Sequence, residues 1–416
     1  MDKMAVKGGH QLNGVVSASG SKNSTLPLIF SSLLADGEHV FHNVPDLVDV
    51  KSACALLENL GCETTYKDHT LRIFVKVNKF EAPYDIVRKM RASILCLGPL
   101  LARFNEAKVS LPGGCAIGTR PIDLHLEGMK ALGAEIEVDS GYVLAKTPHL
   151  KGAKILFESP TVGGTENIMM AAALAHGETY IENAAKEPEI VDLANYLNKM
   201  GAKVEGAGSS IIKITGVAKL KPSEHTVIPD RIEAGTLLIA GAITGGEVTV
   251  KDCHPADLEA LLAKMREAGF KISETENSVT VHKCASWKGV DITTSPHPAF
   301  PTDLQAQFMV LMTQAQGTSV ITENVFENRF MHVQELTRLN CDITPKTRVA
   351  VVRGTHGKLQ GAPVMATDLR ASACLVLAGL VAEGETVVNR IYHLDRGYEN
   401  MEAKLTSLGA KVSRVK

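Results

Sequence analysis

The sequence has 416 residues, enough to bury the cores of more than one domain. Its formal net charge of −2 argues against a strongly basic surface that would bind nucleic acid or an anionic membrane. The N-terminal stretch is polar and no apolar run approaches the length of a membrane span, so we expect a cytoplasmic protein without membrane insertion.

The eight cysteines are scattered singly and form no CxxC pair. In a chain of this size the spacing predicts reduced thiols, most of them buried and inert. The exception is Cys115, which lies in a glycine-rich segment. No HExxH motif or Cys/His cluster occurs among the 14 histidines, so the sequence predicts no metal and no cofactor.

A short marker recurs about every 70 residues, where a helix ends at Leu-Gly-Ala or a similar triplet before a strand. Glycine, or asparagine in the fifth copy, suits a helix end that needs the left-handed conformation. The markers are centred on Gly61, Gly133, Gly201, Gly269, Asn340 and Gly409. The chain is therefore predicted to consist of six similar units.

Each unit combines an alanine-rich apolar helix, an amphipathic helix and about four strands, which is an α/β arrangement. We expect apolar helices such as residues 168–175 and 374–382 to be buried on all sides. Six units predict two domains of three, and the boundaries come from the repeat because no Gly/Ser-rich linker marks the join. The predicted domains are residues 22–229, and residues 1–21 with 230–416, whose strand at 5–19 would pair with the C-terminal half.

Basic residues gather in the loops that precede the helices of each unit. Helix N-termini and these cations would together form a convergent cationic cleft, which fits a phosphate-rich substrate. Plainer interpretations stay open: Lys22 as a solvated charge, Asp303 as a helix cap, and the arginines as structural ion pairs or solvated side chains. The cations are Lys22, Arg91, Arg120, Arg329, Arg370 and Arg396.

The segment at residues 111–123 surrounds Cys115 with three glycines, and Arg120 follows where a helix would begin. Glycines permit positive φ and leave the thiol uncovered, so this segment predicts a mobile loop that presents sulfur. A nucleophile or acid beside an anionic substrate is one hypothesis. A surface turn with an incidental cysteine is the alternative.

Seven motifs are highly specific in combination: GSKN at 20–23, MRAS at 90–93, LPGGC at 111–115 before Arg120-Pro121, FPTDLQAQ at 300–307, ENRFMH at 327–332, ATDLRAS at 366–372 and HLDRGYE at 393–399. Together they resemble the UDP-N-acetylglucosamine 1-carboxyvinyltransferases, enolpyruvyl transferases of the EPSP synthase superfamily. The likeness spans essentially the whole chain. It implies an inside-out α/β barrel fold, with two similar domains of three βαβαββ-type repeats each.

The resemblance also implies two sets of substrate ligands. Lys22, Arg120 and Arg396 match phosphoenolpyruvate ligands, and Asn23 would bridge the two substrates. At Ser159-Pro160 the sequence departs from members with Lys-Val, so a lysine contact to the nucleotide is absent or supplied elsewhere. The implied UDP-sugar site comprises Arg91, Arg120, Pro121, Ile122, Asp123, Leu124, Thr161, Val162, Gly163, Asp303 and Val325, and Arg329 and Arg370 complete the cleft.

The implied reaction is an addition followed by an elimination, at the first committed step of peptidoglycan synthesis. The sugar 3′-hydroxyl attacks C2 of phosphoenolpyruvate while C3 gains a proton, and the adduct then loses phosphate. Asp303 would accept the hydroxyl proton. Cys115 would act as an acid, carry a covalent pyruvate adduct and be the target of the epoxide fosfomycin. Lys22 and Arg396 complete the implied catalytic set.

Two other functions stay open. A 3-phosphoshikimate 1-carboxyvinyltransferase shares the repeat fold and the Gly-Ser-Lys start, although the Gly-Gly-Cys115 loop argues against it. A non-catalytic nucleotide-sugar sensor on the same scaffold is the other candidate. The expected partners are small molecules, UDP-N-acetylglucosamine and phosphoenolpyruvate, and the sequence leaves the oligomeric state open.

Overall fold

The computed structural model describes residues 2–112, 122–354 and 359–416. These residues form two compact units. The N-terminal unit contains residues 20–112 and 122–228, and the C-terminal unit contains residues 2–19, 229–354 and 359–416. Across the described ranges, no helix is both long enough and apolar enough to cross a membrane.

The N-terminal unit consists of three four-stranded sheets and their connecting helices. Strands β1 (Lys3–Lys7) and β2 (Asn13–Ser17) precede it in the chain and pair within the C-terminal unit. Its strands are β3 (Gly37–His42), β4 (Glu63–Lys67), β5 (Thr70–Val75), β6 (Glu81–Ala82), β7 (Glu106–Ser110), β8 (Glu135–Asp139), β9 (Tyr142–Lys146), β10 (Lys154–Leu156), β11 (Glu178–Glu182), β12 (Lys203–Glu205), β13 (Ile211–Thr215) and β14 (Glu224–Thr226). Its helices are α1 (Lys22–Ser31), α2 (Val48–Asn59), α3 (Tyr84–Val87), α4 (Leu97–Phe104), α5 (Asp123–Ala131), α6 (Val162–Ala172) and α7 (Pro188–Lys199), with short 3₁₀ helices at Ser32–Leu34 and Arg91–Cys96.

The C-terminal unit has the same composition of sheets and helices. Its further strands are β15 (Glu247–Lys251), β16 (Ile272–Thr275), β17 (Ser278–Val281), β18 (Ile292–Thr293), β19 (Gly317–Thr322), β20 (Asp342–Lys346), β21 (Val349–Gly354), β22 (Pro363–Met365), β23 (Glu385–Asn389) and β24 (Lys411–Val415). Its helices are α8 (Arg231–Ile243), α9 (Glu259–Ala268), α10 (Gln305–Thr313), α11 (His332–Arg338), α12 (Leu369–Val381) and α13 (Met401–Ser407), with 3₁₀ helices at Pro255–Leu258, Thr302–Leu304 and Ile391–Arg396.

All of the described sheets share one strand order, in which a parallel edge pair is followed by antiparallel neighbours. The orders are β14-β3-β5-β4, β6-β7-β9-β8 and β10-β11-β13-β12, and then β2-β15-β17-β16, β18-β19-β21-β20 and β22-β23-β1-β24. Along the chain this gives six βαβαββ repeats, which confirms the predicted mixed α/β class. The single strand expected at 5–19 is instead two strands, because the chain turns at Gly9, where φ is +84°.

The apolar helices are buried as predicted. All of residues 232–243 in α8 and all of α10 are buried, and α12 is buried from residue 370 to 380. These three helices pack against one another, as α4 does against α6. Full burial of each large aliphatic side chain contributes about 1.5–3 kcal/mol, so the packing of these helices contributes a large part of the folding free energy of each unit.

The repeat marker has the predicted backbone conformation in every copy. The marker glycines have φ between +94° and +113°, and Asn340 has φ +66°. Each of these residues ends an outer helix just before a strand, where only the left-handed region reverses the chain without strain. Asparagine tolerates this region better than most residues with a side chain, which explains why it can take the place of glycine in the fifth copy.

Candidate active site

Asp303 lies in the 3₁₀ turn Thr302–Leu304, directly before α10. Its Oδ1 accepts a hydrogen bond from Arg329 Nη2 at 2.9 Å, and its Oδ2 accepts one from Arg370 Nη2 at 2.8 Å. Both guanidinium groups are buried, whereas the Asp303 side chain keeps 26% of its exposure. The structure therefore brings together three predicted site residues from separate segments of the C-terminal unit. Asp303 pairs with two cations here, and the cap positions of its turn and of α10 are Pro301 and Leu304.

The Arg370 side chain is almost fully buried, with 4% of its surface exposed. Burial by itself would lower the pKa of Arg370, but Asp303, Tyr398 and Asp230 raise it overall. The guanidinium carbon lies 5.4 Å from the centre of the Tyr398 ring, within range of a cation–π interaction. Among the described residues, Arg370 Nη1 is one of the buried side-chain atoms without a hydrogen-bond partner.

A second network fixes the backbone beneath Asp303. Gln307 Nε2 lies 2.9 Å from the Asp303 carbonyl oxygen, 3.0 Å from Tyr398 Oη and 3.2 Å from Thr236 Oγ1. Gln307, Thr236 and Tyr398 are buried and come from α10, α8 and the segment after the 3₁₀ helix Ile391–Arg396. Three elements thus hold the main chain of the acidic turn in place.

Glu323 is a functional candidate that sequence reasoning missed. This fully buried carboxylate accepts hydrogen bonds from Thr302 Oγ1 at 2.8 Å and from the main-chain nitrogen of Val325 at 2.8 Å. Thr294 and the Phe326 nitrogen supply two further donors. Glu323 therefore ties the predicted nucleotide-site residue Val325 to the turn that carries Asp303. The sequence feature that could have identified Glu323 is its position directly after a strand of alternating apolar residues.

Arg396 ends the 3₁₀ helix Ile391–Arg396 in the same unit. Burial lowers the pKa of His393, and the positive charges of Arg396 and Arg390 lower it further, against an opposing effect of Asp368. The preceding residue, Asp395, forms an ion pair with Arg414. Arg396 thus contributes positive charge to this end of the unit.

Lys22 is the first residue of α1, where Ser21 caps the helix by accepting a hydrogen bond from the Ser24 nitrogen at 3.3 Å. A lysine here opposes the positive end of the helix dipole. Asp49, which is buried, lies 3.6 Å from Lys22 Nζ and offsets that repulsion. Lys22 is therefore not a solvated charge; Asn23, half-buried, follows it in the same turn.

The predicted nucleotide-site residues of the N-terminal unit meet around His125. Thr161 caps α6 by accepting a hydrogen bond from the Gly164 nitrogen at 3.2 Å, which places Val162 and Gly163 in the first turn. A Cβ at Gly163 would lie 3.1 Å from His125 Cε1, so a larger residue would require the His125 ring to shift by a few tenths of an ångström. His125 itself follows Asp123 and Leu124 at the start of α5.

The charge state of His125 follows from its partners. Asn167 Nδ2 lies 3.1 Å from His125 Nδ1, and an amide nitrogen can only donate, so Nδ1 is the acceptor and Nε2 carries the hydrogen. Burial lowers the pKa of His125 to about 3, and the Arg91 charge adds to the effect. A neutral imidazole therefore packs beside Gly163, with Arg91 close enough to influence it.

Several predicted residues cannot be placed. Cys115, Arg120 and Pro121 lie outside the described residues.

Ile122 is buried just before α5. Ser159 and Pro160, where the sequence departs from its resemblance, are exposed ahead of α6. In the described ranges, no group of three His, Cys, Asp or Glu residues could hold a metal ion.

The other seven cysteines lie within the described residues and are free thiols. Five are buried, and Cys54 and Cys284 are half-buried. Burial raises the pKa of Cys54 to about 11 and that of Cys96 to about 12. Because the thiolate is the reactive form, these two side chains are inert at neutral pH.

The whole chain matches known proteins. The EPSP synthase (3-phosphoshikimate 1-carboxyvinyltransferase) family profile matches residues 6–405. A UDP-N-acetylglucosamine 1-carboxyvinyltransferase of Bdellovibrio bacteriovorus is 68% identical over 99% of this chain and 100% of its own length. One from Myxococcus xanthus is 57% identical over 100% of both chains.

Solved structures agree with this match. The enolpyruvyl transferase NikO from Streptomyces tendae aligns with a TM-score of 0.89 at 25% identity, over 100% of this chain and 99% of that one. An EPSP synthase from Acinetobacter baumannii aligns with a TM-score of 0.77 at 16% identity over 100% of both chains, a likeness of fold alone.

Proposed function

The chain belongs to the UDP-N-acetylglucosamine 1-carboxyvinyltransferases of the EPSP synthase family, and from that premise we propose how its residues perform the reaction. The enzyme transfers the enolpyruvyl group of phosphoenolpyruvate to the 3′-hydroxyl of UDP-N-acetylglucosamine and releases phosphate. The observation that carries this conclusion is the 68% identity over 99% of the chain to a relative of that activity. The reaction belongs to peptidoglycan synthesis.

The first step is an addition. The 3′-oxygen forms a bond to C2 of phosphoenolpyruvate, its proton passes to the Asp303 carboxylate, and C3 gains a proton to become a methyl group. Arg329 and Arg370 hold the two Asp303 oxygens, which favours the ionised form that accepts a proton. General base catalysis by a positioned carboxylate is typically worth ~10²–10⁴ in rate.

The second step is an elimination. C3 loses a proton, the double bond to C2 forms again, and the C2–O bond to phosphate breaks, so the product carries an enolpyruvyl ether. We assign the proton donation to carbon, or the protonation of the departing phosphate, to Cys115. Lys22, Arg120 and Arg396 are assigned to the phosphate and carboxylate of phosphoenolpyruvate, where each charge-assisted bond is worth about 1.5–3 kcal/mol.

The sugar nucleotide is assigned to the remaining predicted residues. In the N-terminal unit the neutral His125 packs beside Gly163, and the helix starts at Thr161 and Ile122 offer backbone N–H groups to phosphate oxygens. Arg91 supplies positive charge there. In the C-terminal unit Val325 is ordered by Glu323 next to the turn of Asp303.

Phosphate release tests the function directly. The purified protein should release phosphate only when phosphoenolpyruvate and UDP-N-acetylglucosamine are both present, and mass spectrometry should detect the enolpyruvyl ether. Release with 3-phosphoshikimate as the acceptor would assign the chain to the other branch of the family. Binding of the sugar nucleotide without turnover would make it a sensor.

We propose that the enzyme acts in the cytoplasm. Seven free thiols among the described residues support a reducing compartment. Fractionation of cells that produce a tagged copy, with enrichment in the membrane fraction as the contrary result, tests this location.

A further inference from the structure

Ser24 stands apart from the other hydroxyl side chains of α1. Thr25 Oγ1 donates to the Ser21 carbonyl, and Ser31 Oγ donates to the Leu28 carbonyl, so both satisfy themselves within the helix or its cap. Ser24 Oγ instead donates to Asp192 Oδ2 in α7, 168 positions away. Both residues are buried. The first turn of α1 is thus tied by a side chain to a distant acidic residue.

Asp192 is the centre of this buried network. Its Oδ1 lies 2.7 Å from His225 Nε2, and its Oδ2 also accepts a hydrogen bond from the Ile228 nitrogen at 3.4 Å. The Ile228 carbonyl in turn accepts a 2.7 Å bond from the nitrogen of Ser21, the cap of α1. Asp192 therefore holds the start of α1 both through Ser24 and through the main chain.

The contact between His225 and Lys199 determines which nitrogen of the His225 ring carries the hydrogen. Lys199 Nζ lies 3.2 Å from His225 Nδ1. An ammonium group can only donate, so Nδ1 accepts and Nε2 carries the hydrogen that is donated to Asp192. The carboxylate thus receives three donors, from Ser24, His225 and Ile228, and all three orient it. Such a satisfied buried network is rigid, because every alternative orientation leaves a buried polar group without a partner.

We propose that Asp192 is a positioning residue that acts through Ser24 to fix the first turn of α1, and with it Lys22 and Asn23. This inference rests on the proposed function, in which those two residues contact phosphoenolpyruvate. Lys22 and Asn23 are the first two residues of the helix, and Ser24 is the third. A helix start held at Ser24 cannot rotate or fray without moving the Lys22 ammonium group, and binding of a small anion depends steeply on that placement.

The test compares Ser24→Ala and Asp192→Asn with Ser31→Ala. Ser31 is a matched control, because it is a buried serine of the same helix whose hydroxyl bonds only within that helix. Steady-state kinetics should show the KM for phosphoenolpyruvate raised about tenfold in Ser24→Ala and Asp192→Asn. The KM for UDP-N-acetylglucosamine should change little, and Ser31→Ala should match the wild type. The double variant should add little to Asp192→Asn alone, because the Ser24 hydroxyl acts through that carboxylate.

Amide hydrogen exchange supplies a readout that needs no turnover. The amides of residues 21–25 should exchange faster in Ser24→Ala and Asp192→Asn than in Ser31→Ala. Unchanged exchange in these variants overturns the inference, as does faster exchange with an unchanged KM for phosphoenolpyruvate in an active enzyme. If the wild-type protein releases no phosphate, the proposed function fails, and exchange alone decides whether Asp192 fixes α1.

Lys22→Ala separates the inference from the ligand assignment. A raised KM for phosphoenolpyruvate in Lys22→Ala and in Ser24→Ala supports both. A raised KM in Ser24→Ala with an unchanged KM in both Lys22→Ala and Asn23→Ala shows that Ser24 acts through another group, and overturns the inference.

Discussion

Arg370 donates a hydrogen bond to Asp303 at 2.8 Å, although the two residues are 67 positions apart in the sequence. Arg370 lies in the first turn of α12 and Asp303 in the turn before α10, so the contact joins two repeats of the C-terminal unit. Arg329 pairs with the other carboxylate oxygen. Removal of this carboxylate therefore leaves two buried guanidinium groups close together without their shared counterion.

Asp303→Asn should lower both activity and stability. The amide cannot accept the hydroxyl proton, so kcat should fall by ~10²–10⁴. Since a buried ion pair that loses one partner is strongly destabilised, the free energy of unfolding should also fall, by about 3 kcal/mol. Phosphate release and urea unfolding measure the two effects.

Asp342→Asn is the matched control for that substitution. Asp342 pairs with Arg353 at 3.1 Å in the same unit, but both side chains are about half exposed. Exposed pairs contribute roughly 0–1 kcal/mol, so stability and activity should stay near wild type. Equal, small effects of both substitutions would contradict the roles given to Asp303.

Glu323→Gln should weaken the binding of UDP-N-acetylglucosamine. The amide nitrogen of glutamine would face at least one of the donors that the carboxylate now accepts, and each buried group left unsatisfied costs about 1–3 kcal/mol. The loop at Val325 and the turn at Thr302 should loosen together. We expect a raised KM for the sugar nucleotide and a lower kcat, measured by phosphate release at saturating phosphoenolpyruvate.

Glu335→Gln serves as the comparison. Glu335 in α11 is half-buried; it accepts one main-chain hydrogen bond, from Met365, and lies 3.7 Å from the exposed Arg338. A glutamine oxygen can replace that acceptor, so kinetics should be unchanged. A kinetic effect of Glu335→Gln as large as that of Glu323→Gln would remove the special role of the buried carboxylate.

Stability should fall as the pH drops below about 6.5. Burial lowers the pKa of His39 and His332 to about 4 and that of His125 to about 3. In the unfolded chain these histidines take up protons near pH 6.5, while the folded state does not, so protons favour unfolding. Their contribution is fully present above pH 6.5, and protonation of each of these histidines removes up to about 1.4 kcal/mol per pH unit between pH 6.5 and its folded pKa.

His39→Gln tests this linkage away from the candidate active site. The variant lacks one of the titrating groups, so the urea midpoint should depend less steeply on pH between 6 and 4.5 than in wild type. His149→Gln, at an exposed position in the same unit, should keep the wild-type slope. An unchanged slope in His39→Gln would contradict a neutral, buried His39.

Particular residues show how far the sequence predicts this structure. The left-handed conformation of Asn340 and the burial of α12 are both predicted correctly. Each follows from a local property of the sequence, the helix end before a strand in one case and an apolar composition in the other. Glu323 and Asp192 were missed, because the side-chain donors that help to bury them lie 21 to 168 positions away in the sequence. Asp303 illustrates the same limit, because its local sequence is compatible both with a helix cap and with an ion pair.

The thiol assignment rests on the sequence, because Cys115 lies outside the described residues. A thiolate attacks an epoxide, whereas a serine hydroxyl neither attacks it nor donates a proton readily. Cys115→Ser should therefore resist inactivation by fosfomycin and lose ~10²–10⁴ in kcat. Cys115→Asp should also resist inactivation but keep turnover, because a carboxylic acid can still supply a proton.

Cys54→Ser is the control for the fosfomycin experiment. Burial raises the pKa of Cys54 to about 11, so this thiol is not ionised at neutral pH. The variant should remain active and be inactivated as fast as wild type, with one inhibitor adduct on the peptide that contains Cys115. Undiminished inactivation of Cys115→Ser would place the reactive sulfur elsewhere, and a Cys115→Asp enzyme without turnover would mean that the thiol supplies more than a proton.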